Sequence, residues 1–373
     1  MRSLLILAAV LAPVTVAAET HRLRPTTGHA TFAVRPPVLT VKPGDVVESE
    51  SLWGEWYEKA GGKWPGEVGP IAIEGAEPGD TLVVEILKVR PNRDTAVSTQ
   101  GGRFGALVPD SRTAFLNETF PQGRYVWRLD RARMTGTLDL PRSKQKSITV
   151  PLAPMLGRVA VAPAGEEAFG GLWPGQFGGN MDAADVREGA TVYLPVFHPG
   201  ALFYFGDGHA LQGDGEACGS GLETSMEVAF RFSVRKKQAI AWPRIEDADH
   251  LMVAGSARPL TDAFRIAFVE LIDWLVADYG YDKAEAYQVL SQVGGPDRRR
   301  TASAERRRQR HPVLGSAAEE LLELDAHPIE AGQIGRCRRR APSDHVDPGL
   351  SVETRGVVGQ RLPLPHRPDD VVD

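Results

Sequence analysis

Short apolar or alternating runs, punctuated by Gly and Pro, fill the first two thirds of the chain. Residues 31–34 and 38–41 form two such runs around Pro36-Pro37, and 45–48 resumes the extended pattern after the Pro43-Gly44 turn. Runs 71–74 and 81–87 flank Glu77-Pro78-Gly79-Asp80, a strand–turn–strand signal. Further strands are predicted at 147–150, 158–161, 191–197, 202–205 and 223–232. In the last of these, Glu223, Ser225, Glu227 and Ala229 would share one face. Pro195 suits an edge or bulge. Residues 90–125 read as loop. The period changes at 261–280, where Phe264, Ala267, Phe268, Leu271, Ile272 and Leu275 recur at helical spacing. Thr261 or Asp262 can cap this helix, Gly280 fits its end, and a second helix opens at Asp282 and runs through Leu290. The expected fold is mainly β with a few helices (α+β): a β-sandwich or jelly roll carrying a helical hairpin near 261–293.

Composition narrows the class. With 373 residues there is ample chain for a large core, and 39 Gly and 28 Pro favour turns and short strands over helical bundles. A formal net charge of −5 carries no basic footprint for nucleic acid. Arg2, the short apolar run 4–12 and the small residues Val16-Ala17-Ala18 read as an export signal ending at Ala18. The mature chain from Glu19 is then expected to be periplasmic or secreted, with no membrane association after signal cleavage. Two cysteines, Cys218 and Cys337, allow at most one disulfide.

Candidate chemistry concentrates between Phe205 and Gly219, where Asp207, His209, Gln212, Asp214, Glu216 and Cys218 sit among five glycines. From Glu188 to Phe230 there is no Lys or Arg. Acids without a basic neighbour must find a distant partner, stay in solvent, take up protons or hold a cation. A Gly/Asp-rich run between strands is more often a solvated turn, so the histidine, the glutamate and the missing counter-charges are what favour a site. Asp207 and His209 are two residues apart, which puts both on one face of an extended backbone.

The ordered segments Gly179-Asn180-Met181-Asp182, Leu194-Pro195-Val196, Gly200-Ala201-Leu202-Phe203, Gly206-Asp207-Gly208-His209-Ala210 and Gln212-Gly213-Asp214-Gly215-Glu216 resemble the acetamidase/formamidase family. Gly69-Pro70-Ile71, 74–80 and Val161-Ala162-Pro163 support the resemblance, which runs from about Arg35 to Gly294. It implies a β-rich, sandwich-like hydrolase of carbon–nitrogen bonds in small linear amides.

Amide hydrolysis needs an activated water, a polarised carbonyl and a proton for the departing nitrogen. Asp182, His209 and either Asp207 or Asp214 are candidate ligands of a divalent metal, zinc or calcium. Glu216 is the candidate general base and later acid, with Asp214 and His209 also in the catalytic set. Asn180, Gln212 and Gly213 are candidates for orienting a small amide substrate. A homo-oligomer is expected. Cys218 as nucleophile is the weaker enzymatic option, because its acidic neighbourhood disfavours a thiolate. From another class, a non-catalytic module could bind a metal and a carbohydrate or other small molecule with Trp53, Trp56 and Trp64. These tryptophans line a pocket mouth in that reading and are ordinary packing in the plainer one.

After Gly294 the text changes to Arg/Pro-rich, with three Arg triplets starting at 298, 306 and 338. Residues 295–373 are expected to be a disordered extension or the product of a shifted reading frame, and the enzyme to be damaged if a closing strand was lost.

Overall fold

In a computed structural model, residues 18–100, 121–258, 260–293 and the strand Gln333–Arg338 are described. Residues 1–17 of the expected export signal (1–18) and most of the basic stretch after Gly294 lie outside the described residues.

Two sheets stack face to face. One has eight strands in the order Thr20–Arg22, Val46–Glu50, Met226–Arg235, Thr81–Pro91, Thr191–Pro195, Arg244–Glu246, His250–Gly255 and Gln333–Arg338. The other has six, ordered Pro174–Gly175, Gly178–Asn180, Met155–Ala160, Phe203–His209, Val68–Ile73 and Leu39–Val41. Between them Phe203 and Phe205 meet Phe230 and Phe232, with ring centroids 5.0–5.4 Å apart in edge-to-face contacts. Such pairs add specific geometry to a core that also contains Ile71, Leu82, Val84, Ile86, Val159 and Leu194. Two edge pairings are parallel, Thr20–Arg22 with Val46–Glu50 and Leu39–Val41 with Val68–Ile73, so the sandwich is mixed.

The helices Leu260–Tyr279 and Lys283–Val293 match the predicted hairpin. Ala267, Phe268, Leu271, Ile272, Trp274 and Leu275 pack on Leu251 and Val253 of the eight-stranded sheet. A smaller four-stranded sheet joins Ser147–Pro151, Thr135–Asp139, Gly123–Asp130 and Thr95–Gln100. The last two of these correct the loop expected over 90–125, of which 101–120 are outside the described residues. The strand predicted from Glu223 starts at Met226. Glu223 instead forms an isolated bridge with Val97 and His209 and is buried, while Glu227 pairs with Lys88 at the surface. The expected common face is therefore broken. Within the basic stretch, Gln333–Arg338 runs antiparallel to His250–Gly255 at the end of the eight-stranded sheet.

Candidate active site

Three neighbouring strands of the six-stranded sheet set out the site. Arg158 is in register with Asn180 on one side and with Gly206 on the other, and Val68 lies opposite Phe205 on the next strand. Adjacent strands are about 4.8 Å apart, so Asn180, Arg158, Gly206 and Glu67 form a row across the sheet. Gly206 has no side chain to block that row. A Cβ there would lie 1.9 Å from Glu67 Oε2. Arg158 therefore reaches across it, donating from a guanidinium nitrogen to Glu67 Oε1 at 2.6 Å. Its Nε donates to Asn180 Oδ1 and lies 3.3 Å from Asp207 Oδ2. Trp64 caps the row, with Arg158 4.7 Å from its ring centroid and its indole N–H donating to Glu67 Oε1 at 2.9 Å.

His209, on the strand Phe203–His209, is held at its Nδ1 by Gln212 Oε1 at 2.7 Å. The Gln212 amide nitrogen donates to the Asp182 carbonyl oxygen, which fixes which end of that amide is the acceptor. Nδ1 therefore carries a hydrogen, and Nε2 faces Glu223 Oε2 at 3.1 Å and Asp207 Oδ1 at 3.5 Å. His209 Nε2, Glu223 Oε2, Asp182 Oδ1 and Glu67 Oε2 are buried polar atoms without a hydrogen-bond partner among the described residues. Two donor sets arise here, each with its ligand atoms within 4.8 Å of one another: Asp182, His209 and Glu216, and Asp207, His209 and Glu223. Gly157 leaves room for the acids, since a Cβ there would meet Asp207 Oδ2 at 2.5 Å and Asp182 Oδ1 at 2.6 Å.

The electrostatics follow from five carboxylates, Glu67, Asp182, Asp207, Glu216 and Glu223, sharing one buried region. Among the described residues the basic groups paired with them are Arg158 and His209. Burial pushes the Asp182 carboxyl well above the usual range, and the charges of Glu216 and Asp207 push it further. Burial, with Glu223 and Asp207 nearby, raises Glu216 to about 7 against the pull of His209. Glu223 and Glu67 are raised mainly by burial. Asp207 goes the other way: Arg158 and His209 overcome its burial and hold it far below the usual carboxylate range. For His209, burial favours the neutral ring, but Glu223 and Asp207 lift its pKa well above the ordinary value. Three of these acids, Asp182, Asp207 and Glu216, have φ of 44°, 57° and 38°. Left-handed backbone at non-glycine residues is held by its surroundings and gathers at functional sites.

The sequence candidates thus divide. Asp182, Asp207, His209 and Glu216 come together. Asp214 does not join either donor set: it and Gly213 are exposed on the loop. Asn180 and Gln212 are present, but their amides are already committed, Asn180 to Arg158 and Asp182 and Gln212 to His209 and Asp182. Asn180 thereby links Arg158 to the Asp182 carboxylate, and Gln212 ties the His209 ring to the Asp182 backbone. Cys218 is a free, exposed thiol outside the donor sets. Glu67, Arg158 and Glu223 were not singled out from sequence. Glu223 carried a weak signal, a carboxylate starting a strand within the Arg/Lys-free stretch.

The acetamidase/formamidase family pattern matches residues 67–168 and 152–295. An acetamidase from Mycolicibacterium smegmatis is 24% identical over 290 residues, covering 60% of this chain and 71% of that protein. A formamidase from Methylophilus methylotrophus is 29% identical over 196 residues, 41% of this chain and 47% of its own length, so the chain spans less than half of that relative. The crystal structure of an acetamidase from Yersinia enterocolitica superposes with a TM-score of 0.67 at 35% identity, covering 75% of this chain and 87% of that one. A crystal structure of a predicted acetamidase/formamidase from Thermoanaerobacter tengcongensis gives a TM-score of 0.64 at 27% identity over 75% of this chain and 90% of its own. The matched region contains every residue of the acid cluster, and the chain belongs to the acetamidase/formamidase family.

Proposed function

We propose that this chain is an exported amidohydrolase that cleaves the C–N bond of small linear amides, of the formamide and acetamide kind, with water. The observation that carries the reading is Glu216: a carboxylate with a pKa of about 7 beside His209 and three further acids. Near neutral pH such a group exchanges a proton readily in both directions. As base it takes a proton from water while the water oxygen bonds to the amide carbon. As acid it returns that proton to nitrogen while the C–N bond breaks, leaving a carboxylic acid and ammonia.

The donor chemistry fits a divalent cation. Excess buried carboxylate, one imidazole nitrogen and several orphaned oxygens are what such an ion neutralises. Asp207, His209 and Glu223 would hold it, leaving Glu216 and Asp182 on the substrate side. Mixed imidazole and carboxylate ligands favour zinc over calcium, which prefers all-oxygen sets. When bound, the ion would polarise the carbonyl and acidify water. Arg158 holds Glu67 and Asp207 in place, and Gln212 keeps His209 Nε2 turned inward. The export signal at 1–18 supports action outside the cytoplasm. No helix among the described residues is long and apolar enough to cross a membrane.

Purified protein is expected to release ammonia from formamide or acetamide, and Glu216→Gln to lose at least about 100-fold of that rate. Binding of an amide without turnover by the wild type would sink the enzymatic reading and favour a binding module.

A further inference from the structure

Two buried acids outside the acid cluster pair with permanent cations, Asp80 with Lys236 and Glu270 with Arg244. Asp45 is 5% exposed, and its ion-pair partner among the described residues is His21, with Nε2 2.9 Å from Oδ2. An imidazole is a cation only when protonated. Asp45 sits in the turn that carries the chain from Leu39–Val41 of the six-stranded sheet to Val46–Glu50 of the eight-stranded sheet. Burying a carboxylate there without a lasting counter-charge is costly.

The remaining bonds to Asp45 come from backbone nitrogens. Lys42 N donates to Oδ2 at 2.9 Å, and Glu19 N donates to Oδ1 at 2.9 Å. Burial raises the Asp45 carboxyl, but the bonds from Glu19, His21 and Lys42 outweigh it and hold the pKa below the ordinary value. Glu19 is held on its other side as well, because its carbonyl oxygen accepts from Val46 N at 2.8 Å. From there Thr20–Arg22 pairs in parallel with Val46–Glu50 as the outermost strand of its sheet. Ala18 and Glu19 are exposed, so the peptide bond between them lies at the surface.

Glu19 is also the first residue expected after the export signal. Hydrolysis of the Ala18–Glu19 bond by a leader-removing peptidase consumes one water. Its oxygen completes a carboxylate on Ala18, and the Glu19 nitrogen departs as an α-amine that takes up a proton. The atom beside Asp45 Oδ1 thus changes from a neutral amide to a cation in the same place.

We propose that removal of the leader at Ala18–Glu19 creates an α-ammonium that pairs with the buried Asp45 carboxylate and locks the N-terminal strand onto the sandwich. The proposal rests on the export part of the reading above and is independent of the hydrolase part, since its test reads no amide turnover.

The test compares two chains released from an N-terminal fusion, one starting at Glu19 and one at Ala18, both ending at Asp373. The Glu19 chain should melt about 3–6 °C higher, the shift expected of one partly buried ion pair in a domain of this size. Asp45→Asn should lower both midpoints and abolish the difference between them. Should Asp45→Asn fail to fold, the α-amine of the two unsubstituted chains is titrated through the pH dependence of its acylation, read by mass spectrometry of the N-terminal peptide. In the Glu19 chain its pKa should be about 9 or above, against about 7.7–8.0 for an unpaired α-amine. Equal midpoints, or an ordinary α-amine in the Glu19 chain, would overturn the pairing. Protein exported from a bacterial cell should begin Glu19-Thr20-His21 on N-terminal sequencing, and any other first residue would overturn the cut site and the proposal with it.

Discussion

Glu216 sets function against stability. Its pKa of about 7 lies above the ordinary 4.5, so the folded state holds its proton more tightly than the unfolded chain does. The stability from that proton is fully present below about 4.5 and is lost as pH rises through 7. Above 7 the cost is on the order of 3 kcal/mol, at 1.36 kcal/mol per unit. In chelator, Glu216→Gln is therefore expected to match wild type near pH 4.5 and exceed it by about 3 kcal/mol at pH 8 in urea unfolding. Equal stabilities at both pH values would mean that Glu216 is not held in the acid crowd. The same carboxylate should give kcat/KM an acid limb near pH 7 in the wild type, because turnover needs the ionised form. At this scale the sequence was partly legible. Asp207 and His209 stood out because strand periodicity pairs them, and Glu216 because of its company. Asp214 has nearly the same local text as Glu216, yet the turn exposes it, and loop text alone does not say which acid turns inward.

At the scale of elements, the site depends on glycines that let side chains cross a strand. Gly206 separates Arg158 from Glu67, and a Cβ there would sit 1.9 Å from Glu67 Oε2. Gly213 has nothing within 4 Å of its Cβ position. Gly206→Ala is expected to cost about 1–3 kcal/mol by overpacking and to lower kcat at least about tenfold by splitting the Arg158–Glu67 pair. Gly213→Ala should leave both within about twofold, as measured by melting and ammonia release. If the two variants behave alike, the glycine row is not what places the arginine. This explains why the cation was missed. The sequence correctly showed no Lys or Arg between Glu188 and Phe230, but strand pairing supplies Arg158 from the neighbouring strand, and Glu67 comes from the residue just before the strand Val68–Ile73 beyond the glycine. Such cross-strand supply leaves no local periodicity to read. The helical hairpin was legible for the opposite reason: its stripe is internal to one segment.

At the scale of the molecule, two cores do different work. The sandwich core lies beneath the acid cluster, while Leu251, Val253, Leu271, Trp274 and Leu275 form a separate cluster under the helices. Into that second core the fold buries an ion pair, Arg244–Glu270 at 2.7 Å, with Arg244 5.1 Å from the Trp274 ring centroid. Arg244 is 6% exposed and Glu270 3%. Burial raises the Glu270 carboxyl, and Arg244 opposes that rise. Removing one partner leaves the other charged and buried, which costs about 3–5 kcal/mol, whereas two apolar replacements of similar volume are often neutral. Glu270→Leu should therefore be strongly destabilised, and Glu270→Leu with Arg244→Met should regain most of the loss in urea unfolding. Because this pair shares no contact with the acid cluster, kcat per folded molecule should stay within about twofold in both. A double variant weaker than either single one, or a pair worth less than about 1 kcal/mol, would show that the charges are solvated and that the helices dock by apolar contact alone.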